Sequence, residues 1–355
     1  MDYDPKILYL WDFDLTRNSG KDRATRQKLA ALRECVSFLK VISNGFGKRY
    51  RIAAVFLLDL KACYSLINYK PDLFISRGYS GLLSIFLSKI LRITTVREVH
   101  ASAIEELNLL PYKGFKLKVI ESMTKLSHYL DCLSDIRIFN NPDLLEYYRK
   151  SGLATDKDFY VYNGFDPNSR SALSKSEARK KFELGESEKL IVFIGSASKW
   201  HGVDYLVELQ KEFNNYGDDI KIIFGGGDVS EFDPCSVCLN ISPLEDEDCS
   251  DLIRAADFCA LPVKSNRVSP GSPLKLYDYI ANDRHVFAQR DTNGYSDEVE
   301  RLSVGYQVDF TNPSETRLTI ISAFKAHAHK SFNDVKATWS DRMREWLRGM
   351  SNAHR

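Results

Sequence analysis

The sequence predicts a parallel α/β protein built from two Rossmann-like domains. Three observations predict it. The chain has 355 residues, more than a single hydrophobic core usually serves. Short apolar runs alternate with helical patterns through both halves. Loops rich in glycine, histidine and small polar residues follow several of those runs, where open α/β sheets bind ligands.

In the first half, residues 7–11 form a buried strand, followed by a polar loop at 14–21 and a helix from about 25 to 42. A strand is expected at 51–58, another led by 71–75, then an amphipathic helix at 82–91. Residues 94–99 and 136–139 are further strands, the former ending at His100, and a helix starts after Pro142. The segment 159–166 closes the first domain, and the polar stretch 167–176 is the crossing point. The second half opens with the almost wholly apolar strand 189–194. A strand at 221–224 runs into Gly225, Gly226 and Gly227, and 257–261 and 285–288 add two more. Val335, Trp339, Met343 and Trp346 sit at helical spacing in a closing helix. The expected domains are 1–166, together with a final helix at about 338–355, and 167–337.

Composition narrows the class. With 44% hydrophobic and 27% charged residues the chain is an ordinary globular protein, not a disordered or coiled-coil one. No apolar run approaches the roughly 20 residues of a membrane span, and the first residues lack the layout of a signal peptide, so a cytoplasmic location is expected. Seven cysteines in a long chain point to reduced thiols. Cys235 and Cys238 form a C-x-x-C without a second pair or nearby histidine, so no metal site is expected. Residues 1–165 hold 25 Lys and Arg against 18 Asp and Glu, whereas 166–355 hold 24 against 30. The basic first half suits an acidic partner, a phosphate-bearing lipid carrier or an anionic membrane surface, or is simply a solvated face.

The most informative segment is 269–281, Ser-Pro-Gly-Ser-Pro-Leu-Lys-Leu-Tyr-Asp-Tyr-Ile-Ala. Ser272 is a favoured N-cap and Pro273 suits the first helical position. The N–H groups of Leu274 and Lys275, with the positive end of the helix dipole, then make an anion site to which Lys275 adds a full charge. Asp278 lies three residues on, on the same face, where it can accept from ribose hydroxyls. The plain alternative is a capped core helix with a surface Lys–Asp pair.

Taken in order with other segments, this one resembles the family-4 glycosyltransferases, retaining enzymes of the GT-B fold. Residues 163–166, Asn-Gly-Phe-Asp, look like that family's Asn-Gly-Val-Asp; 194–206, beginning Ile-Gly-Ser-Ala-Ser-Lys-Trp-His-Gly, look like its Gly-Arg-Leu-x-x-x-Lys-Gly segment. Residues 225–227 match its glycine loop, 252–262 its alanine-aspartate, strand and proline passage, and 269–281 a variant of its two-glutamate motif. The resemblance implies two domains facing each other across a cleft, with the final helix packed back on the first. Domain two would bind a nucleotide diphosphate sugar, with no further cofactor and no metal. Domain one would bind a glycan or lipid-linked glycan acceptor, and nucleic acid is not an expected partner. It further implies retained anomeric configuration and a role in bacterial surface polysaccharide assembly, at the inner face of the plasma membrane.

Residue by residue, the resemblance gives Lys275 to the diphosphate and Asp278 to the ribose. Gly195, Ser196, Lys199, His201, Gly202, Gly225, Gly226, Leu244, Gly271, Ser272, Pro273 and Leu274 would line the donor, with Leu244 against the base. His100 would lie beside the reacting sugar. Gly20 would serve the acceptor, and Arg97 and Glu98, as neighbours of His100, would orient the acceptor or the His100 ring. Three positions depart from the family: Ser196 stands at its arginine, His201 at its lysine and Pro270 at its first glutamate. Lys199 and a protonated His201 are the replacement cations, and the amides of Gly271 and Ser272 the replacement contacts to sugar hydroxyls. Two alternatives share the fold, a noncatalytic nucleotide-sugar-binding protein and a sugar-nucleotide epimerase. The run 112–118, Tyr-Lys-Gly-Phe-Lys-Leu-Lys, is a candidate membrane-facing edge.

Overall fold

A computed structural model describes residues 3–12, 15, 20–44, 51–101, 114–197, 201–263, 273–290, 295–326 and 331–354. Two compact units divide the chain. The first comprises Met1–Gly164 with Trp339–Arg355, the second Phe165–Thr338.

In unit 1 the strands are β1 (Ile7–Trp11), β2 (Leu39–Ser43), β3 (Leu73–Arg77), β4 (Thr94–Val99), β5 (Ile136–Phe139) and β6 (Phe159–Tyr160). They pair in parallel in the order β2-β1-β3-β4-β5-β6. The helices are α1 (Gly20–Cys35), α2 (Arg51–Tyr69), α3 (Leu82–Ile90), α4 (Gly114–Leu133) and α5 (Pro142–Lys150). Leu8 and Leu10 of β1 and Phe74 of β3 pack with Leu58, Ala62 and Leu66 of α2, Ile85 of α3 and Leu130 of α4. Burying these side chains is the main force holding helices to sheet.

The expected strand at 51–58 is instead the start of α2, and the expected helix at 25–42 ends at Cys35 and gives way to β2. Ala54, Leu58, Ala62 and Leu66 recur every four residues and are all buried, a helical period that appears only when the apolar run is followed to residue 69.

Unit 2 holds β7 (Lys189–Gly195), β8 (Ile220–Gly226), β9 (Leu239–Ile241), β10 (Phe258–Leu261), β11 (His285–Gln289) and β12 (Gly305–Val308), in the order β12-β11-β10-β7-β8-β9. Counted from β7 this is the doubly wound nucleotide-binding order, with its switch point between β7 and β10. The helices are α6 (Lys175–Lys181), α7 (Val203–Tyr216), α8 (Asp246–Ala255), α9 (Leu274–Ala281), α10 (Ser296–Arg301) and α11 (Pro313–Ala326). Phe193, Phe224, Phe258 and Phe287 from four adjacent strands join Leu206 and Phe213 of α7 and Ile320 of α11 in the core.

The last helix, α12 (Trp339–His354), belongs to unit 1. Trp339 Nε1 donates to Gln27 of α1 at 3.3 Å, Arg342 Nε donates to the Asn163 carbonyl at 3.0 Å, and Gly349 leaves the space the Phe159 ring occupies. No helix among the described residues is long and apolar enough to cross a membrane.

Candidate functional site

In unit 2 the site is built on bare backbone. β7 ends at Gly195, whose φ of 125° favours glycine and whose missing side chain leaves room for Lys275: a Cβ there would come within 2.5 Å of Lys275 Cε. Lys275 lies in the first turn of α9, and its Nζ sits 4.9 Å from the Phe193 ring centroid and 3.2 Å from His201 Nε2. His201 Nδ1 meets the Ser196 carbonyl at 2.7 Å. A carbonyl only accepts, so Nδ1 carries the proton and donates. Nε2 is then the lone-pair side, and it accepts from the Lys275 ammonium. Burial pushes Lys275 down to about 8, against the opposing pull of the Asp278 carboxylate.

Two neighbours hold this arrangement at the switch point. Gly202 has φ 67° and caps α7 without a side chain; a Cβ on it would run into the Pro262 carbonyl after β10. The start of α7 therefore sits against the end of β10. Tyr279, fully buried on α9, accepts from the Ile194 amide at 3.1 Å and donates to the Ala260 carbonyl at 3.3 Å, which pins α9 to β7 and β10.

The start of α9 differs from expectation. The N-cap is Pro273, held extended at ψ 121°, and no side chain among the described residues caps the helix. Pro273 cannot accept through its ring, so the first turn of α9 receives no side-chain acceptor from its cap. Gly225 and Gly226 lie inside β8, not in a loop after it. Gly225 makes room for Ile194, Leu252 and Leu244, each within 3 Å of the Cβ it lacks, so Leu244 packs down on β8. Gly226 pairs in register with Gly195. Lys199, Gly271, Ser272 and Pro270 lie outside the described residues.

In unit 1, His100 follows β4 directly, and its Nε2 stands 3.4 Å from Glu98 Oε2. Glu98 is buried, and Lys28 Nζ of α1 forms a short ion pair with it. Tyr9 OH joins both, accepting from Lys28 at 3.0 Å and donating to Glu98 at 3.0 Å. Burial alone would raise the Glu98 carboxyl, but Lys28, His100 and Arg77 hold it well below the carboxylate range. Burial lowers Lys28 to about 8 despite Glu98. The same burial, with the Arg77 charge, keeps His100 below its ordinary value and hence neutral. The adjoining cavity is about 30 Å³, lined by Lys28, Glu98, His100, Trp339, Met343 and Trp346 among others. That is room for a water, not a sugar.

Glu98 is buried beside this cavity and holds the His100 ring. Asn140 Nδ2 holds the His100 carbonyl at 3.0 Å from the end of β5. Arg97, one residue away and so on the opposite face of the sheet, is buried as a cross-link. Its Nε binds Asp131 at 2.9 Å, and Nη2 donates to the Gly78 carbonyl at 2.8 Å and to Ser127 at 3.2 Å. This removes Arg97 from the acceptor-facing set. Gly20 is the exposed first residue of α1, with nothing within 4 Å of a Cβ built on it.

Sequence reasoning missed Lys28 and Tyr9. The signal was present for Lys28, which sits four residues from both Ala24 and Leu32 on the buried face of α1.

No family model matches the chain, and no curated protein matches it in sequence. Solved structures do match. A glycosyltransferase from Rickettsia africae has a TM-score of 0.70 at 11% identity, covering 99% of this chain and 100% of that one. Anabaena HepE, solved with UDP and glucose, has a TM-score of 0.63 at 13% identity, covering 96% and 94%. WaaG, a glycosyltransferase of lipopolysaccharide biosynthesis, has a TM-score of 0.62 at 12% identity, covering 98% of each chain. At these identities the likeness establishes the fold: two six-stranded parallel sheets with flanking helices, of the GT-B class.

Proposed function

We propose that this protein is a retaining glycosyltransferase that moves a sugar from a nucleotide diphosphate sugar to a glycan or lipid-linked glycan, in bacterial surface polysaccharide synthesis. One observation carries the reading. A lysine of lowered pKa lies over bare glycine backbone at the switch point of unit 2, and its hydrogen-bond partner is an imidazole. Such a cation suits an incoming anion. HepE, solved with UDP and glucose, and WaaG, acting in lipopolysaccharide synthesis, support the donor class and the setting.

In this reading the diphosphate takes the place beside Lys275, which meets the charge that develops on the leaving group, and the start of α9 adds its dipole. His201 holds the ammonium in position. Asp278 accepts from the ribose, and Gly195, Ser196 and Gly226 present backbone to the nucleotide. The positive charge comes from side chain and helix, so the reaction takes neither metal nor cofactor. In unit 1, Glu98 accepts from His100 Nε2–H, which leaves the Nδ1 lone pair to receive a hydrogen bond from a sugar hydroxyl. The departing phosphate would take the proton of the attacking acceptor hydroxyl.

The test is thermal stabilisation of the wild type and of Lys275→Ala across a panel of nucleotide diphosphate sugars. One donor should raise the melting temperature of the wild type alone, and turnover of that donor should give a product of unchanged anomeric configuration. An inverted product overturns the retaining step. Binding without turnover on any acceptor points to a noncatalytic protein, and release of an altered sugar nucleotide without acceptor to an epimerase.

A further inference from the structure

Glu98 has more claimants than its single charge can serve. Lys28 Nζ of α1, Tyr9 OH of β1 at 3.0 Å and His100 Nε2 at 3.4 Å all converge on one oxygen, Oε2, with Lys28 the nearest. The side chains of Glu98 and Lys28 are 5% and 7% exposed, whereas the His100 ring keeps 26% of its surface open. The ring is therefore the member of this cluster that a ligand can reach.

Arg77 at the end of β3 brings a second cation. It stands in register with Trp11 of β1, lies 4.3 Å from that ring's centroid and donates to Thr25 Oγ1 at 3.4 Å, and its charge acts on Glu98, Lys28 and His100. The other described groups around the ring are the Asn140 amide, Tyr162 beneath the Arg342 guanidinium, which Glu345 pairs, and the apolar Trp339, Met343 and Trp346 of α12. A carboxylate beside a histidine ordinarily draws a proton onto the ring. Here one carboxylate already faces two cations, and a charged ring would be a third. In a nearly buried site the closer ion pair outweighs the longer contact.

We propose that Lys28 is a positioning residue that acts through Glu98: by claiming the carboxylate's charge it keeps the His100 ring neutral, with Nε2 protonated and the Nδ1 lone pair held for a ligand hydroxyl. Without the ammonium, Glu98 is left as a buried charge, and a proton is its simplest remedy. That proton goes to the ring and not to the carboxyl, because imidazole is the stronger base by about two pH units. It lands on Nδ1, since Nε2 already carries one, and the lone pair is lost. The effect on turnover rests on the proposed contact of His100 with the sugar; the proton state of the ring is a property of the free protein.

The experiment is a pH titration of the His100 ring in the full chain by NMR with nitrogen-labelled histidine, its signals assigned by their loss in His100→Gln. In the wild type the ring should be the neutral Nε2–H tautomer and stay neutral down to about pH 5. In Lys28→Met it should carry both protons at neutral pH, having risen by about two pH units or more. Tyr9→Phe, which takes a neutral donor from the same oxygen, should leave the ring uncharged. Turnover by Lys28→Met at neutral pH should fall about tenfold in kcat, the order of one lost hydrogen bond, and recover as pH rises through the new titration. A wild-type ring that titrates near its ordinary value overturns the proposal without any variant. So does a Lys28→Met ring that stays neutral, or a Tyr9→Phe ring charged as fully as that of Lys28→Met. If the ring charges as expected and kcat does not follow, the role of Lys28 stands and the sugar contact of His100 is what fails.

Discussion

The two units each carry a lysine of lowered pKa near the end of a parallel sheet, yet they treat it in opposite ways. In unit 1, Lys28 is buried against a carboxylate and a phenol, and the three groups satisfy one another. In unit 2, Lys275 rests on an aromatic ring and an imidazole, with the Asp278 carboxylate offsetting only part of the burial cost. The difference separates architecture from function. A charge already paired inside the fold has little left to give a ligand, whereas a partly buried charge whose close contacts are a neutral ring and an imidazole is improved by an anion.

The largest effect should come from breaking the paired site. Glu98→Gln leaves the Lys28 charge buried without its counter-ion, and we expect a loss of about 3–5 kcal/mol in urea unfolding. Lys28→Met in the same chain should recover most of that loss, because both charges are then gone. If the double variant is no more stable than Glu98→Gln, the pair is not the reason for the loss and the contrast between units fails.

Lys275→Ala should show the reverse signature. Removing a cation whose burial is only partly offset leaves stability unchanged or slightly raised, while kcat/KM for the donor falls by about 10²–10³-fold. A pH titration sharpens the point. Lys275 sits at about 8 in the folded protein against an ordinary 10.5. Between those values the unfolded chain binds more protons at this site, so stability rises with pH across that window. Lys28, also at about 8, acts in the same window, so Lys275→Ala should remove only its share of the slope. Donor affinity should move the other way, falling as pH passes about 8 and the cation is lost. A pH-independent donor affinity from 7 to about 9.5 would separate Lys275 from the diphosphate.

How legible this was from sequence differs between the units for a physical reason. Gly195 ends β7, Ser196 follows it, His201 leads into α7 and Lys275 lies in the first turn of α9, positions at strand and helix ends where residue type and order carry meaning without knowledge of packing. Lys28 and Tyr9 owe their role to burial against a residue many positions away, which no local pattern states. The same limit explains the secondary-structure errors. Residues 51–58 are a plain apolar run, and only the longer window to Tyr69 separates helix from strand; Leu39–Ser43 is short, and its place as an edge strand depends on pairing with β1. Arg97 and Glu98 looked equivalent as neighbours at a strand end. The pleat sent one to each face, Arg97 into Asp131 and Glu98 to Lys28.

His201→Gln is the next step down. The amide can still donate to the Ser196 carbonyl, but it offers Lys275 a weaker and differently placed acceptor. We expect about a fivefold rise in donor KM, the worth of one hydrogen bond, with kcat nearly unchanged because the ammonium itself remains. A fall in kcat as large as that of Lys275→Ala would mean that His201 itself meets the leaving group.

The smallest effect is expected at Gly20, and it bears on the proposal that unit 1 binds the acceptor. Gly20 opens α1, is exposed, and has no atom of the described residues within 4 Å of a Cβ placed on it. Its φ is not in the region that favours glycine. Alanine is therefore sterically free there and a better helix former, so Gly20→Ala should change stability by less than about 0.5 kcal/mol. Two outcomes remain for turnover. Unchanged acceptor kinetics would make Gly20 an ordinary helix start and leave the acceptor to the loop that carries His100. A rise in acceptor KM of tenfold or more, at unchanged stability and unchanged donor affinity, would place the acceptor within a methyl group of residue 20, because nothing among the described residues contests that space.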